Sequence, residues 1–124
     1  MPIQAREKTK EERIRGEKSR LNRIFRELPE KKKKLAAGLI ERAAFMRVEL
    51  EDLEADIKEN GWTELFQQSD KVPEYERARP QGQTYHTMNT SYQKIIRQLH
   101  DMLPVKQEKD TDPFDDFLNE RDQM

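Results

Sequence analysis

Apolar residues recur at spacings of three and four in three separate stretches of this chain, and each stretch predicts an amphipathic helix. In the first, Ile14, Leu21, Ile24, Phe25 and Leu28 share one face of a helix over residues 8–28. Arg13, Arg15, Lys18, Arg20, Arg23 and Arg26 surround that face. Leu28-Pro29 then breaks or bends the chain, because the residue before a proline avoids the helical region. A second helix starts near Pro29 and Glu30, with the proline tolerated in its first turn. It carries Leu39, Ala43, Met46, Leu50, Leu53 and Ile57 at alternating spacings of four and three. That is a heptad seam, and Leu35 extends it by one turn. Asn60-Gly61 supplies the left-handed stop that helix ends favour.

Residues 61–80 read as a connection, with Trp62, Leu65 and Phe66 in one short turn and polar, proline-containing loop from 67 to 80. A connection this long is uncommon and is often functional. The third helix covers residues 81–103, its seam formed by Tyr85, Met88, Tyr92, Ile95 or Ile96, Leu99 and Met102, and Pro104 ends it. No strand pattern or internal repeat is visible. The fold class expected is all-α: a central antiparallel helical hairpin with a basic N-terminal helix and a flexible acidic C-terminal tail. Two helices leave one side of each seam uncovered, so a third helix or a neighbouring subunit must cover it.

With 33% apolar and 40% charged residues, the 124-residue chain has little material for a private core, which favours long exposed helices and self-association. There is no cysteine, so disulfides and thiolate chemistry are excluded and a reducing cytoplasm is expected. The most apolar run, residues 35–40, is far short of the roughly 20 residues that span a bilayer. With no signal-like segment after Met1 either, a soluble chain without membrane contact is expected.

Charge divides the chain into three. Residues 1–34 hold thirteen Lys and Arg against six Asp and Glu, a net of +7; residues 35–104 and 105–124 each carry −4. This layout suits a molecule that holds a polyanion at one end and a protein at the other. Catalysis is disfavoured. His86 and His100 lie about 21 Å apart along one helix, the four glycines are isolated, and no serine sits in a nucleophile elbow. No cofactor, metal or enzyme activity is expected. The head is the stronger lead: dense Lys and Arg gain affinity for a duplex by displacing counterions from its phosphates. Its candidate ligands are Arg13, Arg15, Lys18, Arg20, Arg23 and Arg26 together with Lys31, Lys32, Lys33 and Lys34, which crowd the positive end of the second helix. In the tail, Phe114, Phe117 and Leu118 make a small apolar stripe among acids, suited to a partner's groove.

Several stretches also resemble a known family. They are Gly38-Leu39-Ile40-Glu41-Arg42-Ala43-Ala44-Phe45-Met46 leading to Leu50-Glu51-Asp52-Leu53, and Asn60-Gly61-Trp62-Thr63-Glu64. Tyr75-Glu76-Arg77, Arg79-Pro80, Tyr85-His86-Thr87-Met88-Asn89 and Tyr92-Gln93-Lys94-Ile95-Ile96 follow, with Leu103-Pro104 and a late Phe-Asp-Asp-Phe element. Together they resemble the phage terminase small subunits over most of residues 20–118. The resemblance implies a non-enzymatic component of a packaging motor in the cytoplasm of a bacterial host. Such a subunit assembles into a homo-oligomeric ring, binds double-stranded phage DNA at the packaging start and delivers it to the terminase large subunit. It implies an oligomerisation core in residues 35–104, DNA contact by the basic residues of 10–34, and docking of Phe114, Phe117 and Leu118 to the large subunit. The chain departs from the family in lacking a recognisable helix-turn-helix, which argues against base-specific reading and leaves DNA to be held mainly through its backbone or wrapped on a ring. Two other readings are a helical scaffold or adaptor whose head is merely solvated, and a dimeric DNA-binding regulator.

Overall fold

The first helix begins where the sequence provides a cap. Thr9 Oγ1 accepts the backbone N–H of Glu12 at 3.2 Å, and Glu11 and Glu12 place negative charge in the first turn, complementing the helix dipole. This is α1, Lys10–Ile24. The structure, a computed structural model, describes residues 7–104. Past α1 the chain turns through Phe25 and Leu28, whose N–H groups bond to the carbonyls of Leu21 and Phe25. Pro29 then stands at the N-cap of α2, Glu30–Asn60, and its carbonyl accepts the N–H groups of both Lys32 and Lys33. Proline supplies no side-chain cap, so the backbone alone starts this helix. At about 46 Å α2 is the long axis of the molecule. It stops at Gly61, whose φ of +82° favours glycine, and whose N–H bonds to the Ile57 carbonyl at 2.7 Å.

The third helix, α3, covers Pro80–Met102, with proline in its first turn and Leu103 as its cap. The molecule is largely helical. Both α1 and α3 pack against α2. Lys10 and Arg13 of α1 reach the carboxylates of Glu49, Glu51 and Asp52, while Lys18 reaches Glu41, so α1 runs opposite to α2. Tyr85 meets Trp62 at one end of α3 and the Met102 carbonyl meets Lys32 at the other, so α3 also runs opposite to α2. The core joins Leu21, Phe25 and Leu28 to Ala36, Ile40, Ala43, Ala44 and Leu99. Three alanines on α2 let its neighbours approach closely.

The buried stripe of α2 is shifted from the one its heptads suggest. Ala43, Leu50 and Ile57 are buried as the spacing requires, but so are Ala36, Ile40, Ala44 and Val48. Leu39, Met46 and Leu53 are only half-buried, and Leu35 is 66% exposed. At 100° per residue, Leu35, Leu39, Met46 and Leu53 fall on one margin of a broad arc centred near Ile40. A helix covered on two sides buries such an arc, and the larger side chains are left at its edge.

The connection between α2 and α3 contains strands where the sequence suggested only turn and loop. β1, Thr63–Phe66, pairs antiparallel with β2, Tyr75–Ala78, in the register Thr63 to Ala78 and Phe66 to Tyr75. Cross-strand pairs hold it: Arg77 Nε donates to Glu64 at 2.9 Å, its guanidinium lies 3.5 Å from the Phe66 ring centre, and Phe66 meets Tyr75 edge to face. Every residue of β2 is exposed, so the strand has no apolar side to leave a periodic signal. Among the described residues no helix is long and apolar enough to cross a membrane.

Candidate nucleic-acid interface

The basic candidates of α1 fall into two sets once α2 is beside them. Arg13 Nη1 donates to Asp52 at 2.7 Å and its Nη2 lies 3.5 Å from Glu51. That contact with Asp52 holds the Arg13 guanidinium above its ordinary pKa, as the Glu49 hydrogen bond does for Lys10. Lys18 pairs with Glu41 at 2.9 Å. Arg20 grips Glu17 within its own helix through two bonds of 2.6 and 2.9 Å, which raises its pKa. These cations fasten α1 to α2 or stiffen α1, and their charge is answered inside the molecule.

Arg15, Arg23 and Arg26 are different. All three are exposed and have no ion-pair partner among the described residues. Arg15 and Arg23 are eight positions apart, about 12 Å along the axis, on the side of α1 opposite the buried Leu21. Arg26 follows in the turn. In the lysine cluster, Lys33 pairs with Glu30 at 3.1 Å and Lys32 Nζ donates to the Met102 carbonyl at 3.1 Å. Lys31 and Lys34, three positions apart on one helix face, have no such partner among the described residues. Five of the candidates, with no ion-pair partner among the described residues, thus lie on the outer side of α1, in the turn after it and at the start of α2. The positive end of the α2 dipole adds to their field. The arrangement suits a row of phosphates and has nothing shaped to read a base.

The candidate oligomerisation residues also divide. Leu50, Ile57 and Leu99 are buried within the chain itself. Leu39, Met46, Leu53, Tyr85, Met88, Tyr92 and Ile95 are half-buried, leaving apolar surface along α2 and α3. Phe114, Phe117 and Leu118 lie outside the described residues. His86 and His100 stand exposed on α3, and among the described residues no three His, Asp or Glu are grouped to hold a metal.

Arg79, to which the sequence assigned no role beyond the Arg79-Pro80 stretch, organises the far end of the molecule. Arg79 donates to the Gly61 carbonyl and to Asp56 Oδ2, both at 2.7 Å, and its N–H bonds to the Trp62 carbonyl at 2.9 Å. Its side chain is 11% exposed. The Arg79 contact, reinforced by Asn60, draws the Asp56 carboxylate below its usual pKa. Gly82 packs on Trp62, where an added Cβ would stand 3.1 Å from the indole. The sequence shows only an arginine beside a proline at the end of the expected loop. Comparison with protein-family models, curated proteins and solved structures found no match for this chain.

Proposed function

We propose that the chain is a phage terminase small subunit, a non-enzymatic protein that binds duplex DNA at the packaging start and hands it to the large subunit. The observation that carries the DNA-binding part is that five cations, Arg15, Arg23, Arg26, Lys31 and Lys34, have no ion-pair partner among the described residues. A surface of this kind binds by counterion release and gains from repetition. The half-buried apolar margin of α2 and α3 supports assembly of several copies, and a closed ring would present these cations many times over. Phe114, Phe117 and Leu118 are the proposed contact with the large subunit. The packaging role itself rests on the resemblance of the sequence stretches.

The test is native mass with and without duplex DNA, together with DNA titration at two salt concentrations. A large closed assembly that binds DNA at low salt supports the reading. A mass of two chains with DNA binding supports a dimeric regulator instead. No binding at low salt leaves a helical scaffold or adaptor, a reading favoured by the ion pairs that Arg13, Lys18 and Arg20 make within the chain.

A further inference from the structure

The two halves of α1 are held to α2 in different ways. Toward its end, Leu21 is buried in the core, and Phe25 and Leu28 follow it there. The half before Gly16 has one apolar contact with that core, the half-buried Ile14. What fastens this half is charge. Lys10 reaches Glu49 and Asp52, and Arg13 reaches Asp52 at 2.7 Å and Glu51 at 3.5 Å. These five side chains are 23% to 46% exposed, so water and salt ions reach every pair. Exposed pairs are individually weak, and the Debye length falls from about 10 Å at 0.1 M salt to about 3 Å at 1 M. Apolar burial carries no charge to screen. Gly16 stands between the two halves. It is exposed, and no described atom of a neighbouring element lies within 4 Å of where a Cβ would stand. No packing demands a glycine there, and glycine is the weakest helix former after proline.

We infer that residues 10–15 form a salt-sensitive strap, docked on residues 49–52 of α2 by ion pairs and freed at high ionic strength by bending at Gly16. Docked, the strap keeps Lys10 and Arg13 on carboxylates and so withholds two cations from any polyanion. Freed, it exposes both cations and the acids Glu49, Glu51 and Asp52. Six residues are too few to stay helical alone, so the freed strap frays. Leu21, Phe25 and Leu28 keep the rest of α1 in place. The inference goes beyond the DNA-binding reading and does not require it.

The absence of cysteine allows two spin labels to be placed in the full chain. Glu11→Cys with Glu59→Cys joins the strap to the end of α2, and Asn22→Cys with Arg42→Cys spans the apolar half; all four positions are exposed. Dilution with unlabelled chain removes distances between copies. At about 50 mM salt, pulsed electron resonance should give one narrow distance for each pair. At about 1 M the first pair should broaden and lengthen by about 5 Å or more, since the strap spans about 9 Å, while the second holds. Glu49→Gln, Glu51→Gln and Asp52→Asn together should give the broad distribution already at about 50 mM. Gly16→Ala should lower the ratio of freed to docked chains at high salt about fourfold. A first pair that stays narrow at high salt, or in the triple variant at low salt, overturns the inference. So does loosening of both pairs together, which would mean that α1 leaves as a whole, or an undiminished ratio in Gly16→Ala, which would remove the hinge. No nucleic acid enters the assay, so its failure would leave the DNA-binding reading intact.

Discussion

The separation of paired from unpaired cations makes a quantitative prediction about salt. Each phosphate neutralised on duplex DNA contributes about −0.9 to the slope of log affinity against log salt. If the five unanswered cations are the contacts, the slope is about −4.5 per chain engaged, a loss of roughly 500-fold between 50 and 200 mM salt. If all ten basic candidates contributed, it would be about −9. The comparison that needs no subunit count is between variants. Lys31→Gln with Lys34→Gln should flatten the slope by about two-fifths. Arg13→Gln with Lys18→Gln removes the same formal charge but acts on residues bound to Asp52 and Glu41, so the slope should hardly change. Those exposed pairs are worth about 0–1 kcal/mol each, so the fold should survive their loss. Fluorescence anisotropy of a labelled duplex over the salt range reads both slopes. Equal flattening by the two double variants would refute the sorting of cations on which the proposed interface rests.

Other perturbations test the packing. Leu99 is fully buried where α3 meets the α1–α2 core, so Leu99→Ala should cost about 3 kcal/mol and lower Tm by roughly 12–24 °C, measured by thermal circular dichroism. A fall under about 4 °C would show that α3 is not fixed by this contact. Leu50→Asp puts an unpaired charge inside the chain, so helical signal should fall along with native mass. Loss of mass from a fully helical chain would place Leu50 at a subunit interface instead. Asp56 has its pKa lowered mainly by Arg79, so its contribution is present above the ordinary carboxylate range and is lost as pH falls through the folded value. Trp62 fluorescence should therefore change on acidification below about pH 4, and Asp56→Asn should remove that step. Persistence of the step in the variant would assign it to another group.

Much of the helical layout was legible in advance because Pro29, Gly61 and Pro104, whose local chemistry is strong, mark the start of α2, its end and the end of α3. The seam of α2 was legible only in part. A heptad describes a helix with one neighbour, and α2 has two, so small residues such as Ala36 and Ala44 are buried while Leu35 is left out. The hairpin of β1 and β2 escaped because its stability lies in cross-strand pairs such as Glu64 with Arg77, which no periodicity reports. For the candidate interface, composition identified the basic region but could not separate Arg13 from Arg15. That distinction depends on which side of α1 meets the acids of α2, a tertiary fact.

The order in which contacts form has a consequence for synthesis. α2 packs on α1, which precedes it, and the hairpin and α3 come afterwards. Contacts between sequence neighbours close quickly, and chains fold from the N-terminus as they emerge. The cationic surface on α1 and the first turn of α2 is therefore in place once α2 has emerged. The apolar margin of α3 does not yet exist at that point. On the proposed function, a chain still on the ribosome would carry its cationic surface before the half-buried residues that α3 adds to those of α2 have been made.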